Sequence, residues 1–137
     1  MKSYNIHWLK KMEPEYFLYD GNGHIPIGTT HLKFSDDYNK PVNNLPPSIT
    51  HLAFGYRYNQ PTNNLPQSIT HVAFGSCYNQ PTNNLPQSIT HVTFGMHYKQ
   101  QTHKLPSSVT HVTFGFFYNK PTTQLPQSIT HITFGTN

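Results

Sequence analysis

Six histidines, His31, His51, His71, His91, His111 and His131, stand twenty residues apart, each preceded by Thr and followed three residues later by Phe. Imidazole can ligate a metal, move a proton or donate and accept hydrogen bonds. Each use requires particular neighbours. Side chains on adjacent parallel strands, ~4.8 Å apart, bring two nitrogens toward one ion, but no carboxylate or thiolate recurs with them to complete a four-coordinate site. No metal and no cofactor are expected. Acid–base or nucleophilic catalysis is poorly provided for, because all five acids, Glu13, Glu15, Asp20, Asp36 and Asp37, precede residue 38. Ser48, Ser68, Ser88 and Ser128 have no acid to orient a base, and Cys77 does not recur. His31 or His51 near Asp36 and Asp37 is the one acid–histidine combination available, so no catalytic residue is assigned and the chain is read as not an enzyme. Two readings of the ladder remain, a structural column and a recognition face. In either, protonated neighbours about 5 Å apart repel by roughly 0.8 kcal/mol in water, which predicts a broad titration below the free-histidine value.

The element that must carry such a ladder is a twenty-residue coil. Copies begin at Tyr38, Tyr58, Tyr78, Tyr98 and Tyr118, after a degraded one in which Ile25-Pro26 and Thr30-His31-Leu32 align with Leu65-Pro66 and Thr70-His71-Val72. The copies starting at Tyr58 and Tyr78 agree at seventeen of twenty positions, while the one at Tyr98 diverges most, with Lys99, Gln101, His103, Lys104 and Val109. Thr70 to Phe74 and its equivalents read as a short strand: Val72 and Phe74 point inward, His71 and Ala73 outward. Gly75 ends the strand, and Tyr-Asn-Gln-Pro turns the chain. Twenty residues leave no room for a return helix of ordinary length. The prediction is an all-β, leucine-rich-repeat-like solenoid, with one short parallel strand per coil and an extended or 3₁₀ return side. Leu65, Ile69, Val72, Phe74 and Tyr78 form its inward columns, and six strands span about 25 Å. Asn39, Asn59, Asn79 and Asn119 read as turn residues satisfying backbone groups; the Thr before each His is expected to bond backbone or its equivalents.

One domain fits the 137 residues. Residues 1–23 are expected to cap the first coil, with a short amphipathic helix over 3–12 and a turn at Asp20 to Gly23; six repeats follow at 24–37, 38–57, 58–77, 78–97, 98–117 and 118–137. A lone Cys77 allows no internal disulfide. No apolar run approaches the ~20 residues of a membrane helix, and the start lacks a signal peptide's continuous apolar segment. A cytoplasmic setting is expected. The pI near 9.2 comes from scattered cations and not from a dense phosphate-neutralising patch, so no nucleic acid is expected as partner.

Tyr-Asn-Gln-Pro, Leu-Pro-Gln-Ser-Ile-Thr-His and the closing Phe-Gly resemble the words of the FNIP repeat family, relatives of leucine-rich repeats in social amoebae and giant viruses of amoebae. The resemblance covers residues 24–137 and departs in three ways. Tyr38, Tyr58, Tyr78, Tyr98 and Tyr118 stand where the family usually has Phe. Thr62, Thr82, Thr102 and Thr122 stand where an apolar residue is common. The period is twenty instead of about twenty-two. Family members often join the repeats to an F-box-like segment, for which the first twenty-three residues are too few. The resemblance implies a non-enzymatic repeat protein, in host cytoplasm if viral, presenting a protein-binding surface on its sheet face. His51, His71, His91, His111 and His131 are its candidate residues, with Phe116 and Phe117 either an anchor or lateral packing, and Lys33, Arg57, Met96 and His97 giving local individuality. Alternatives are a carbohydrate-binding module, favoured if the repeat tyrosines are exposed, and self-assembly, including a homodimer through the uncapped last strand.

Overall fold

The computed structural model describes residues 14–135, so the helix expected over 3–12 lies outside the described residues. These form seven strands: β1 (Phe17–Tyr19), β2 (His31–Phe34), β3 (His51–Ala53), β4 (His71–Ala73), β5 (His91–Thr93), β6 (His111–Phe114) and β7 (His131–Phe134). All pair in parallel, in chain order, within one sheet. The solenoid is therefore as expected, with one strand more than the six counted from the repeats. Phe17 registers with Leu32 and Tyr19 with Phe34. This offset is fifteen residues and not twenty, which hides β1 from a search for the period. The return side is extended with turns, and no 3₁₀ segment occurs among the described residues.

The alternation of faces follows from the pleat. Leu52, Val72, Val92 and Val112 are buried, as are Phe34, Phe54, Phe74, Phe94 and Phe114, while the histidines beside them are half-exposed. Ile49, Ile69, Ile89 and Val109 complete the interior with Leu65, Leu85 and Leu105. Each such side chain contributes roughly 1.5–3 kcal/mol by leaving water. Phenylalanines stack on their equivalents at 5.3 to 5.8 Å. Phe34, Phe54, Phe74, Phe94 and Phe114 each also lie on the tyrosine of their own turn, as Phe74 does on Tyr78 at 3.9 Å. Tyr58, Tyr78 and Tyr98 are fully buried.

Burial of a phenol demands a partner for its hydroxyl. Tyr78, Tyr98 and Tyr118 find theirs in the preceding coil: Thr62 at 3.2 Å, Thr82 at 3.5 Å and Thr102 at 3.0 Å. The two departures from the family's usual words are thus one feature. Tyr for Phe places a hydroxyl inside, and Thr for an apolar residue receives it. Tyr58 is the exception. The residue at its partner position is Val42, and the Tyr58 hydroxyl is buried without a hydrogen bond.

Coil spacing at the strand's end is set by glycine. A Cβ at Gly55, Gly75, Gly95 or Gly115 would overlap the carbonyl oxygen of the preceding coil, that of Ser35, Gly55, Gly75 and Gly95 respectively. Backbone lies against backbone there. On the return side, Ser48, Ser68, Ser88, Ser108 and Ser128 donate to carbonyls of the coil before at 2.6 to 2.7 Å.

Candidate functional site

The strand register places the six histidines opposite one another, and their rings stack in one column. Centroids are 4.1 to 4.3 Å apart and planes within 13° of parallel. Tyr16, at the register position of the same column, meets His31 edge-on at 5.3 Å.

The rings are held by the threonine before each. Thr50 Oγ1 and His51 Nδ1 share a hydrogen bond of 2.9 Å, and Thr70 and His71 one of 2.8 Å, with the same pairing at every rung. The threonine carbonyl of the preceding coil already accepts two backbone N–H groups, as Thr50 O does from Thr70 N at 2.8 Å and His71 N at 3.1 Å. The hydroxyl's own contact with that carbonyl is longer, 3.2 Å for Thr70. Donation from hydroxyl to Nδ1 is therefore preferred, which leaves the proton of the neutral ring on Nε2. Nε2 has no hydrogen-bond partner among the described residues. The outer face thus presents a rigid row of N–H donors.

Protonation works against this arrangement. Half-burial of the rings, then repulsion from neighbouring rungs, lowers the affinity of His51 and His91 for protons and brings His71, in the middle, down to about 4. Lys33 shares this face, and no acid lies in strands β2 to β7. Beside the ladder, Tyr16, His51, His71, His91, Ala73 and Thr93 border a shallow groove of about 190 Å³.

The acid–histidine combination open to the sequence does not form. Asp36 Oδ1 accepts from Tyr56 N at 3.1 Å and Asp37 pairs with Arg57 at 3.4 Å, both in the turn column, while His31 and His51 are bound to their threonines. Among the described residues no group of three or more His, Cys, Asp or Glu converges on a metal position. Phe116 and Phe117 lie outside the histidine column, at the end of β6. Phe117 stacks on His97 at 5.5 Å, carries Lys99 Nζ over its ring at 5.9 Å and meets Phe116 edge-on, and both phenylalanines keep exposed surface.

Three of the four asparagines expected to bind backbone in the turns do so. Asn39, Asn59 and Asn79 each accept, through Oδ1, the N–H twenty residues on, at 2.9 Å. Gln60, Gln80 and Gln100 add an amide donation to the same asparagines at 3.1 to 3.3 Å. A second ladder runs from Asn64 to Asn43 and from Asn84 to Asn63, both at 3.0 Å. The glutamine rungs and this second ladder escaped the sequence reading, although the repetition of Gln and Asn at those columns was the available signal.

Comparison with known proteins agrees with this architecture. Residues 41–77 and 78–117, more than half of the chain, match the FNIP Repeat family. No curated protein matches the chain. Among solved structures it is similar to CroV588, described as a novel circular LRR protein, with 46% identity and a TM-score of 0.73 over 82% of this chain. That likeness spans 18% of the CroV588 chain, a small part of its length.

Proposed function

Because this chain belongs to the FNIP repeat family, whose repeats here build a rigid sheet face and no catalytic constellation, we propose that it is a non-enzymatic binding protein acting in the cytoplasm. The histidine face holds the partner. The observation that carries this reading is the row of imidazoles fixed by Thr50, Thr70, Thr90 and Thr110, with their Nε2 atoms left without a hydrogen-bond partner among the described residues. Donors of one kind at a regular spacing suit a protein surface rich in carbonyl or carboxylate acceptors. Preordering them lowers the entropic cost of binding. The groove between Tyr16 and the ladder gives that partner a concave place to insert a side chain.

A carbohydrate module loses its support, since the phenols of Tyr58, Tyr78 and Tyr98, which would stack on sugar rings, are inside the solenoid. Self-association has a specific observation behind it: Ile132 and Phe134 on β7 are 44% and 53% exposed, and the outer edge of that strand is unpaired among the described residues. A copy of the chain pairing there would extend the sheet; a monomer mass in light scattering at high concentration would count against it.

The test is a pull-down from amoeba cytosol with the native chain and a variant carrying Ala at positions 51, 71, 91 and 111, both checked for folding by circular dichroism. A protein retained by the native chain and lost by the folded variant supports the histidine face. Equal recovery by both refutes it.

A further inference from the structure

Both turn ladders stop at the coil starting at Tyr98, the asparagine–asparagine ladder at its junction with the coil before and the asparagine–glutamine ladder at its junction with the coil after. Where the coils starting at Tyr38, Tyr58 and Tyr78 carry Asn39, Asn59 and Asn79, the next carries Lys99, and where Gln60, Gln80 and Gln100 reach back to those asparagines, the following coil carries Lys120. The Asn83–Asn84 pair is likewise replaced by His103 and Lys104. Two positions that hydrogen-bond in the earlier coils are therefore occupied by two ammonium groups. The change removes bonds and adds repulsion.

Among the described residues no acid offsets that charge, and only Lys99 has an aromatic ring, that of Phe117, beneath it. From Tyr38 to Asn137 there are five Lys and Arg and no acid, and three of the five, Lys99, Lys104 and Lys120, line one groove of about 410 Å³ with His103. Asp37 is engaged by Arg57. It belongs to a coil three below that of His97, about 14 Å away at the strand spacing, beyond the ~8 Å Debye length of physiological salt. The remaining lining is Pro81 and the amides of Asn83, Gln100 and Gln101, with no carboxylate. A second groove of about 190 Å³ shares Gln101, His103 and Lys120 and continues it.

We propose that this groove binds a small multivalent phosphate anion. Three ammonium groups match a dense cluster of negative charge, and amide N–H groups supply donors to its remaining oxygens. The three groove lysines belong to two successive coils, so there is no continuous stripe along the solenoid to follow a nucleic-acid backbone. The site shares no lining residue with the histidine face, and failure of the pull-down leaves it untouched.

The test titrates the whole chain with sodium tripolyphosphate by calorimetry at pH 7 in 0.15 M sodium chloride. The native chain should bind with one saturable site. Lys99→Asn combined with Lys120→Gln should weaken binding at least tenfold while raising thermal stability, because these are the residues of the intact ladder and restore its bonds. Lys40→Gln removes the same charge in the Lys120 column of another coil and should leave affinity unchanged. Co-sedimentation with phosphatidylcholine vesicles carrying a phosphoinositide distinguishes the source: pelleting assigns a lipid headgroup, and no pelleting with retained tripolyphosphate binding assigns a free anion. Absence of saturable heat, equal affinity in the double variant, or equal weakening by Lys40→Gln would overturn the proposal.

Discussion

Removing one hydroxyl should have opposite effects on two neighbouring tyrosines of identical burial. Tyr58 and Tyr78 are both fully buried on the phenylalanines of their turns, but Tyr78 bonds Thr62 at 3.2 Å and Tyr58 bonds nothing. In Tyr78→Phe the Thr62 hydroxyl is left buried and unpaired, which costs about 1–2 kcal/mol. In Tyr58→Phe the group lost is itself unpaired, so its desolvation penalty disappears and the fold gains about 1 kcal/mol. The pair should then differ by about 2–3 kcal/mol, or roughly 7–10 °C in Tm for a chain of this size. Val42→Thr supplies the missing partner and should stabilise by about 1 kcal/mol, a gain that vanishes when Tyr58→Phe is also present. Urea and thermal unfolding followed by far-UV circular dichroism measure all four. Shifts of the same sign and size for Tyr58→Phe and Tyr78→Phe would refute the assignment of the threonine column as the phenols' partner.

Other outcomes follow from the same stack. Gly75→Ala sets a methyl against the Gly55 carbonyl and should cost at least ~3 kcal/mol in urea unfolding, whereas Gly135→Ala, whose nearest atoms are 3.3 Å away, should cost well under half of that. The folded pKa of His51, His71 and His91 is lowered, so the unfolded chain takes up more protons than the folded one; stability present above pH ~6.5 is lost as pH falls toward the His71 value of about 4. Solvent screening of the half-buried rings limits that loss to about 1–2 kcal/mol. NMR titration of the ring protons should give staggered curves, and six identical sharp ones would contradict the stacked column. At high pH the sign reverses. Burial raises the phenols of Tyr58, Tyr78 and Tyr98, Tyr78 to about 12, so stability complete below pH ~10 should be lost as the pH climbs toward 12, visible as cooperative unfolding coincident with tyrosinate absorbance.

The sequence carried most of this architecture because each column repeats one residue type at one interval. Thr70-His71-Val72-Ala73-Phe74 states its own alternation, and the buried class of Val72 and Phe74 and the half-exposed class of His71 follow it directly. What it left out lies between columns. The Tyr78 to Thr62 bond joins residues sixteen apart in different coils, so its two halves look like unrelated departures until the coils are stacked. β1 was missed because its offset from β2 is not the period. The basic junction was visible only as divergence of one copy. That Lys99, Lys104 and Lys120 meet in one groove requires knowing that the turns of consecutive coils face each other.

Because the phenols of Tyr78, Tyr98 and Tyr118 are bonded by the coil before each, the inheritable unit is a junction and not a repeat. Recombination between the near-identical copies at Tyr58 and Tyr78 deletes or inserts twenty residues at a stroke, shifting sheet length by ~4.8 Å while every column closes again. Loss of residues 58–77 would set Tyr78 over Val42 and pass the unpaired hydroxyl to it. An added copy would bring its own threonine and be born satisfied. Lengthening of this solenoid by slippage is thus chemically silent, and shortening past Thr62 leaves a single buried scar that always sits at the same boundary.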